Sequence, residues 1–302
     1  MTAASRMQGI VLRGTGGVWQ VRTETGETVP ASLRGRLKQA ETEKLAVGDD
    51  VVVERVERDD AWTIVEMLPR RSKLARREPG GGPRERVVVA NIDQVVVVFA
   101  VAEPEPHVRM LDRFLVIAEA NDLLSRIVVN KVELASDARG RFALYERIGY
   151  PVHYTSVKRG DGLAELRDAL IDRVSALTGP SGVGKSSLLN AMFPGLNLRV
   201  GEISRSVMKG RHTTVGADLH PLPDGGYVVD TPGLREVGVW GLEVGELGRC
   251  FPEMRPLFDQ CRFGDCTHRV EPGCAVLAGI ASGQVSRERY ESYLKLRAEL
   301  EA

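Results

Sequence analysis

The chain lacks any long apolar run. Its most hydrophobic stretch, residues 95–101, is far short of the roughly 20 residues a membrane-spanning helix needs. Residues 1–10 carry no apolar signal core, so a soluble, non-secreted, cytoplasmic protein with no membrane partner is expected. A charge imbalance is also missing. With 41 Lys and Arg against 41 Asp and Glu, nothing global calls for nucleic acid or a membrane surface, and any basic surface must be local. Cysteine is scarce: four in 302 residues cannot build a disulfide scaffold, yet Cys261, Cys266 and Cys274 crowd around His268. There is no repeat of fixed period and no low-complexity tract. What is present is an ordinary globular balance, 43% hydrophobic and 27% charged, in a chain long enough for two or three domains.

Residues 1–70 read as an N-terminal β-barrel. Short β-rich runs at 9–12, 18–22, 28–33, 50–56 and 62–68 are separated by glycines and the Asp59-Asp60 pair, which predicts a small antiparallel barrel. An OB-type barrel is one candidate, and an SH3-like or sandwich contact module another. Residues 1–69 hold 9 basic and 11 acidic side chains, so at most one face suits a polyanion. Residues 71–86 read as a basic linker. Arg70, Arg71, Lys73, Arg76, Arg77, Arg84 and Arg86 outweigh Glu78 and Glu85 around Pro79-Gly80-Gly81-Gly82-Pro83, forming either a solvated charge run or a phosphate contact.

From 87 to 239 continuous apolar runs at 95–101, 127–129 and 174–177 alternate with helical spacing at 108–120 and 163–170. This is the pattern of an α/β domain whose parallel strands are buried on both faces. Two further strands, 217–221 and 227–229, form a hairpin turned at Asp224-Gly225-Gly226. Residues 240–302 read as mainly α, with helical patterns at 242–250 and 287–300 around the Cys/His cluster and a core that is thin without a metal.

The chemistry concentrates in the middle domain. Gly179, Pro180, Ser181, Gly182, Val183, Gly184, Lys185 and Ser186 make a G-x-x-x-x-G-K-S phosphate loop between an apolar strand and a helical stretch that opens at Ser187. Its glycines let backbone N–H groups close around phosphates, Lys185 spans the β- and γ-phosphates, and the Ser186 hydroxyl can ligate Mg²⁺. Asp230-Thr231-Pro232-Gly233 follows an apolar strand, where the Asp230 carboxylate reaches Mg²⁺ and the Gly233 N–H meets a γ-phosphate. Between them lies Gly210-Arg211-His212-Thr213-Thr214-Val215-Gly216, in which Thr213 or Thr214 can place a hydroxyl on Mg²⁺.

Asn130-Lys131-Val132-Glu133, at the end of a buried strand, resembles the guanine-reading N-K-x-D element of GTPases, with Glu in place of Asp. In that element a carboxylate accepts from the N1 and N2 donors of guanine and so excludes adenine. Glu133 keeps this chemistry with one methylene more and leaves an ATPase as an alternative. Thr155-Ser156-Val157 is placed like the second base-contacting loop. Both base elements precede the phosphate loop, the reverse of the usual order, so the domain looks like a circularly permuted GTPase. Only the convergence of strand-end loops matters for binding, not their order in the chain. The permutation leads Asp230–Gly233 directly into the C-terminal domain. There, Cys261-x₄-Cys266-x-His268-x₅-Cys274 is a closed S₃N set suited to one structural, tetrahedral Zn²⁺ per chain, with Cys250 left as a small buried side chain.

Barrel, permuted domain and Cys/Cys/His/Cys tail together resemble the ribosome small-subunit-dependent GTPase A family over nearly the whole chain. The resemblance implies an OB-fold, a permuted G domain and a zinc-binding domain. It further implies hydrolysis of GTP to GDP and phosphate, acceleration by the 30S ribosomal subunit, contact with 16S rRNA, and a role in late subunit maturation. In those terms Asn130, Lys131, Val132 and Glu133 hold guanine with Thr155, Ser156 and Val157, Lys185 stabilises charge, and Ser186, Thr214 and Asp230 organise Mg²⁺. The family's switch-one histidine, here His212, is proposed to position the attacking water, and Leu234 stands where Ras-like enzymes carry a glutamine. Barrel and tail would grip RNA, helped by Arg199, Arg205, Lys209 and Arg211, and a monomer suffices. The rival readings are a GTP-gated, non-catalytic RNA-binding scaffold and a permuted NTPase with another RNA partner.

Overall fold

The computed structural model describes residues 6–35, 44–56, 61–77, 85–198, 217–230 and 242–301. Strands β1 (Arg6–Thr15), β2 (Val18–Thr23), β3 (Thr28–Leu33), β4 (Asp50–Val56) and β5 (Ala61–Met67) close into a barrel in the order β1-β2-β3-β5-β4. All neighbours are antiparallel except β3 and β5, which run parallel. Val11, Val21, Val29, Val51, Val53 and Ile64 fill the OB-type barrel. On β1, Val11 points into it, while its neighbours Ile10 and Leu12 belong to the central core with Val89 and Val95. Strand alternation thus explains three consecutive buried apolar residues: one face closes the barrel and the other docks it.

The docking adds hydrogen bonds to this apolar contact: the Ala90 N–H donates to Val47 O at 2.8 Å and Asn91 Nδ2 reaches Gly48 O at 3.0 Å, while the Gly48 N–H ties the turn to Val11 O within the barrel at 2.8 Å. Beneath this turn the fully buried Asp49 carboxylate accepts from Arg70 Nε at 2.6 Å, Arg70 NH2 at 2.8 Å and the Ala46 N–H at 2.7 Å. The stretch read as a basic linker carries β6 (Lys73–Arg77), paired antiparallel with β7 (Glu85–Ala90). Leu74 and Val89 of this ribbon are fully buried; residues 78–84 lie outside the described residues.

The central domain is a six-stranded sheet in the order β10-β9-β8-β11-β13-β12. It comprises β8 (Gln94–Ala100), β9 (Leu124–Asn130), β10 (Val152–Tyr154), β11 (Val174–Thr178), β12 (Asp218–Pro221) and β13 (Tyr227–Asp230), and only β12 is antiparallel. Helices α1 (Val108–Glu119) and α2 (Ala138–Ile148) cover one face, and α3 (Leu163–Leu170) and α4 (Lys185–Met192) the other. Every β8 residue is buried. Val95, Val97 and Phe99 pack with Leu111, Phe114 and Phe142, and Val96, Val98 and Ala100 with Leu166, Leu170 and Leu188. Burial on both faces is why this strand reads as an unbroken apolar run rather than an alternating one.

Residues 242–301 form short 3₁₀ turns at Leu247–Cys250 and Arg255–Gln260, then α5 (Ala275–Ser282) and α6 (Arg287–Glu301). Their core of Leu247, Phe251, Met254, Val276 and Tyr293 also takes in Val116 of α1, so this domain closes onto the central one through a shared helix. Among the described residues no helix is long and apolar enough to cross a membrane.

The barrel seat has one position where only glycine fits. Gly48 has φ +85°, and a Cβ there would lie 2.2 Å from Ala90 O; Gly17, at φ +84°, has nothing within 4 Å. Gly48→Ala is expected to cost more in urea unfolding than Gly17→Ala, which loses only about 1 kcal/mol for its backbone conformation. Equal losses would mean that the close approach to Ala90 does not hold the barrel in place.

Candidate nucleotide site and metal centre

Because β8, β9, β10, β11 and β13 are mutually parallel, the loops after Asn130, Tyr154, Thr178 and Asp230 leave the same edge of the sheet. Of the residues singled out in the sequence, 130–133, 155–157 and 179–187 come together there. Asp230 ends β13 at the same edge, with only its backbone described. His212, Thr213, Thr214 and Gly233 lie outside the described residues, as do Thr231, Leu234 and the basic residues Arg199, Arg205, Lys209 and Arg211.

The phosphate loop joins β11 to α4. Gly179 (φ +135°) lies flat on the end of β8, where a Cβ would come within 2.0 Å of Val98 O. The first intrahelical bond of α4 runs from the Leu188 N–H to Gly184 O at 2.9 Å, so the N–H groups before it face the loop mouth, where an anion is favoured. The Lys185 ammonium, buried with Ser186, donates to Gly179 O and Pro180 O, both at 2.9 Å. Carbonyls thus hold a buried positive charge at the centre of the loop.

The base-side loops are tied to this cradle by one side chain. Buried Asn130 donates from Nδ2 to Val183 O at 2.8 Å and accepts at Oδ1 from Thr155 Oγ1 at 3.1 Å. Lys131, in the left-handed region at φ 60°, donates from Nζ to Glu103 O in the loop between β8 and α1. The 3₁₀ turn Val132–Leu134 is hung from the neighbouring loop by the Val132 N–H on Thr155 O at 3.2 Å. Ser156 is fully buried, and its Oγ accepts the Arg159 N–H at 3.1 Å. Oε2 of Glu133 is a buried oxygen with no hydrogen-bond partner among the described residues. Desolvation pushes the Glu133 carboxyl up, but the Ser156 hydroxyl, its own backbone N–H, Arg159 and Lys158 outweigh it and hold the pKa below the usual range. An ionised, under-satisfied carboxylate at the same sheet edge as a phosphate cradle suits a base edge carrying adjacent N–H donors, which guanine has and adenine lacks.

In the C-terminal domain Cys261, Cys266, His268 and Cys274 bring their ligand atoms within 4.8 Å of one another. His268 Nδ1 sits 3.6 Å from Cys261 Sγ and 3.5 Å from Cys274 Sγ, matching the edge of about 3.5–3.8 Å that a tetrahedron of zinc-length bonds requires. The imidazole is held by a stacked Phe258 ring at 4.9 Å, and burial lowers its pKa, favouring the neutral ring that a metal needs. Burial and the neighbouring thiols push the Cys266 thiol up to about 12, a repulsion that a bound dication inverts. Donor set and spacing therefore fit a closed metal site.

The sequence reading missed the residue that shapes this knuckle. Glu271 accepts from the Thr267 and Arg269 N–H groups, each at 2.9 Å, and from the Val270 N–H at 3.0 Å, fixing the turn that carries His268. The Thr267 hydroxyl above all, with the Thr267 and Arg269 N–H groups and its own, holds the carboxyl well below the usual range. It also missed Asp112, a charged residue one turn before Val116 on an otherwise apolar helix face, and that misplaced charge was the available signal.

Gly184 tests the tie between the two halves of the site. Its φ is +96°, and a Cβ would lie 2.5 Å from Asn130 Nδ2. Gly184→Ala is expected to weaken binding of a fluorescent GDP analogue at least about tenfold, a loss of about 1.4 kcal/mol, while the protein stays folded by circular dichroism. Unchanged affinity would mean that the Asn130 contact does not organise the loop.

The sequence profile of the RsgA GTPase family matches residues 67–240, and that of the RsgA N-terminal domain residues 8–63. A protein of Gemmatimonas aurantiaca named small ribosomal subunit biogenesis GTPase RsgA is 61% identical over 297 residues, 97% of each chain. One of the same name from Moorella thermoacetica is 43% identical, again over 97% of each. Among solved structures, YjeQ from Thermotoga maritima superposes with a TM-score of 0.81 at 36% identity, covering 98% of this chain and 99% of that one. YloQ, described as a circularly permuted GTPase, gives a TM-score of 0.76 at 30% identity, covering 98% and 96%. These matches run along nearly the whole chain, in the same order as the barrel and the permuted domain of the fold, and the chain belongs to the RsgA GTPase family.

Proposed function

We propose that this GTPase acts in the cytoplasm as a monomer in small ribosomal subunit biogenesis, binding the 30S subunit through 16S rRNA and hydrolysing GTP faster when bound. The observation that carries the reading is the Asn130 bridge, which joins the 130–133, 155–157 and 179–187 loops into one site across the permuted order of the chain. The subunit as partner is carried over from the names of relatives that match end to end.

In this reading Glu133 accepts from guanine, Asn130, Lys131 and Val132 frame it with Thr155, Ser156 and Val157, and Gly179 to Ser187 wrap the phosphates. Lys185 leaves the Gly179 and Pro180 carbonyls to neutralise charge developing on the β–γ bridge. Mg²⁺ bound with the nucleotide neutralises phosphate charge, and Ser186, Thr214 and Asp230 are the side chains assigned to hold it. His212 is assigned to orient the attacking water, Thr213 and Gly233 to meet the γ-phosphate. Zn²⁺ on Cys261, Cys266, His268 and Cys274 supplies folding free energy to the C-terminal domain and takes no part in hydrolysis. The parts are residues 1–70 as the RNA-binding barrel, 71–86 as the basic connection, 87–239 as the permuted GTPase domain and 240–302 as the zinc-binding domain.

Phosphate release over many turnovers, with and without purified 30S subunits, tests this. GTP turnover is expected to rise strongly with subunits, to ignore ATP, and to fall about 100-fold or more in Lys185→Ala. Turnover indifferent to subunits would remove them as activator, and equal use of ATP would remove Glu133 as a guanine reader. Elemental analysis should find one zinc per chain, and Cys261→Ala should lower zinc content and loosen the C-terminal domain without abolishing GDP binding.

A further inference from the structure

The nucleotide site has a wall that no motif describes. Residues 101–107, between β8 and α1, run beside it. Glu103 O takes the Lys131 ammonium, and Pro104 Cδ stands 3.8 Å from where a Gly182 Cβ would be, so this loop touches the base side and lies next to the phosphate side. It is pinned at its start by the Val101 N–H on Asn130 O at 2.9 Å and by Arg141, whose NH1 reaches Val101 O at 2.7 Å and NH2 Glu105 Oε2 at 3.0 Å. At its end it runs directly into α1, where His107 Nδ1 caps the Met110 N–H at 3.3 Å.

Where the loop can stand therefore depends on where α1 stands, and α1 is held from the C-terminal domain. Asp112, 1% exposed, lies just past the first turn. Its Oδ1 accepts Arg289 NH1 of α6 at 2.8 Å and the Tyr145 hydroxyl of α2 at 2.8 Å, and its Oδ2 accepts the Ser292 hydroxyl of α6. Arg289 is equally buried. It spends its other donors on Glu253, with Nε at 2.7 Å and NH2 at 3.2 Å, and lies over the Phe251 ring at 4.7 Å. With two carboxylates around it, the guanidinium is charged at any working pH. A planar fork shared between two carboxylates accepts one arrangement, so it fixes the register of α6 against α1 in a way that the apolar contact at Val116 does not. Exposed pairs, Arg113 with Glu299 at 2.7 Å and Arg109 with Glu291 at 3.9 Å, flank it.

We propose that Arg289 is a positioning residue for guanine-nucleotide retention: by fixing Asp112 and α1 it holds the 101–107 wall against Lys131 and the phosphate loop, making the C-terminal domain a support of the nucleotide site. The inference rests on the reading that 130–133 and 179–187 hold the nucleotide. It provides a route between site and C-terminal domain that is separate from the chain segment after Asp230.

The test is stopped-flow release of a fluorescent GDP analogue from the full-length, metal-loaded protein. Arg289→Met is expected to speed release about tenfold, Tyr145→Phe less but in the same direction, and Arg113→Ala, which cuts only an exposed bridge, within about twofold. A general loss of packing would multiply with any site defect. If Arg289 instead acts through the wall, Arg289→Met should accelerate Lys131→Ala by less than it accelerates the parent, because the Lys131 contact is already gone. Release at the parent rate from folded Arg289→Met, or a fully multiplicative cycle, would overturn the proposal. If Arg289→Met fails to fold, the same cycle with Tyr145→Phe decides by the same criteria. Lys131→Ala alone reports on the underlying reading: unchanged GDP affinity there would remove the base site itself, whatever Arg289 does.

Discussion

The Asn130 amide is the contact on which the arrangement of the site depends. Its two ends face loops that are 25 residues downstream at Thr155 and 53 residues downstream at Val183, and it satisfies one hydrogen bond with each inside a buried setting. A carboxamide can do this because it carries a donor and an acceptor on one rigid plane, so the loops are held at a fixed separation rather than merely attracted. Breaking either bond leaves a buried polar group unpaired, which costs about 1–3 kcal/mol. This makes the order of the elements along the chain immaterial. Parallel strands deliver the loops to one edge, and one side chain locks them into a common geometry wherever the chain happens to start.

The parts of the molecule that could be read in the sequence are those whose physics is local. β8 showed itself because burial on both faces removes alternation, the hairpin at Asp224-Gly225-Gly226 because its turn needs positive φ at Gly225 and Gly226, and the phosphate loop because spacing alone specifies it. The Cys/His cluster was legible for the same reason, four donor side chains within 14 residues. The ribbon of β6 and β7 was hidden: its buried Leu74 and Val89 stand among arginines on either side of a Pro/Gly run, so charge and breakers dominated the pattern. The Asp112–Arg289 pair was hidden by distance, since 177 residues separate two charges that look solvated until the fold buries them together.

The C-terminal domain is small, and its stabilisation is divided between two different chemistries. At one end the Cys/His cluster and Glu271 organise a turn that has little apolar material of its own. At the other, α6 presents Arg289, Ser292 and Tyr293 to α1 and to the core around Phe251, where the T-shaped Phe251–Tyr293 contact at 5.7 Å adds an oriented aromatic pair. Tyr293 also joins the two ends: its hydroxyl donates to Thr267 O at 2.8 Å, next to His268, while its ring lies in the apolar core. The Cys/His knuckle and the α1 interface are therefore parts of one packed unit rather than separate attachments.

The barrel is seated differently. Its address on the central domain is written in main-chain atoms, Val47 O, Ala90 N–H and Gly48 O, with Asp49 and Arg70 fastening the strap beneath. This seat uses peptide groups, the Asp49–Arg70 pair and the Ile10 and Leu12 side chains on the inner side of the barrel. The outer surface of the barrel is accordingly free to drift in sequence, or to be grafted from another member of the family, without changing where it is carried, as long as the Gly-Asp turn and those side chains are kept. Recognition and placement are thus encoded by separate atoms in this part of the molecule, and a lineage can retune what the barrel touches without having to relearn where to hold it.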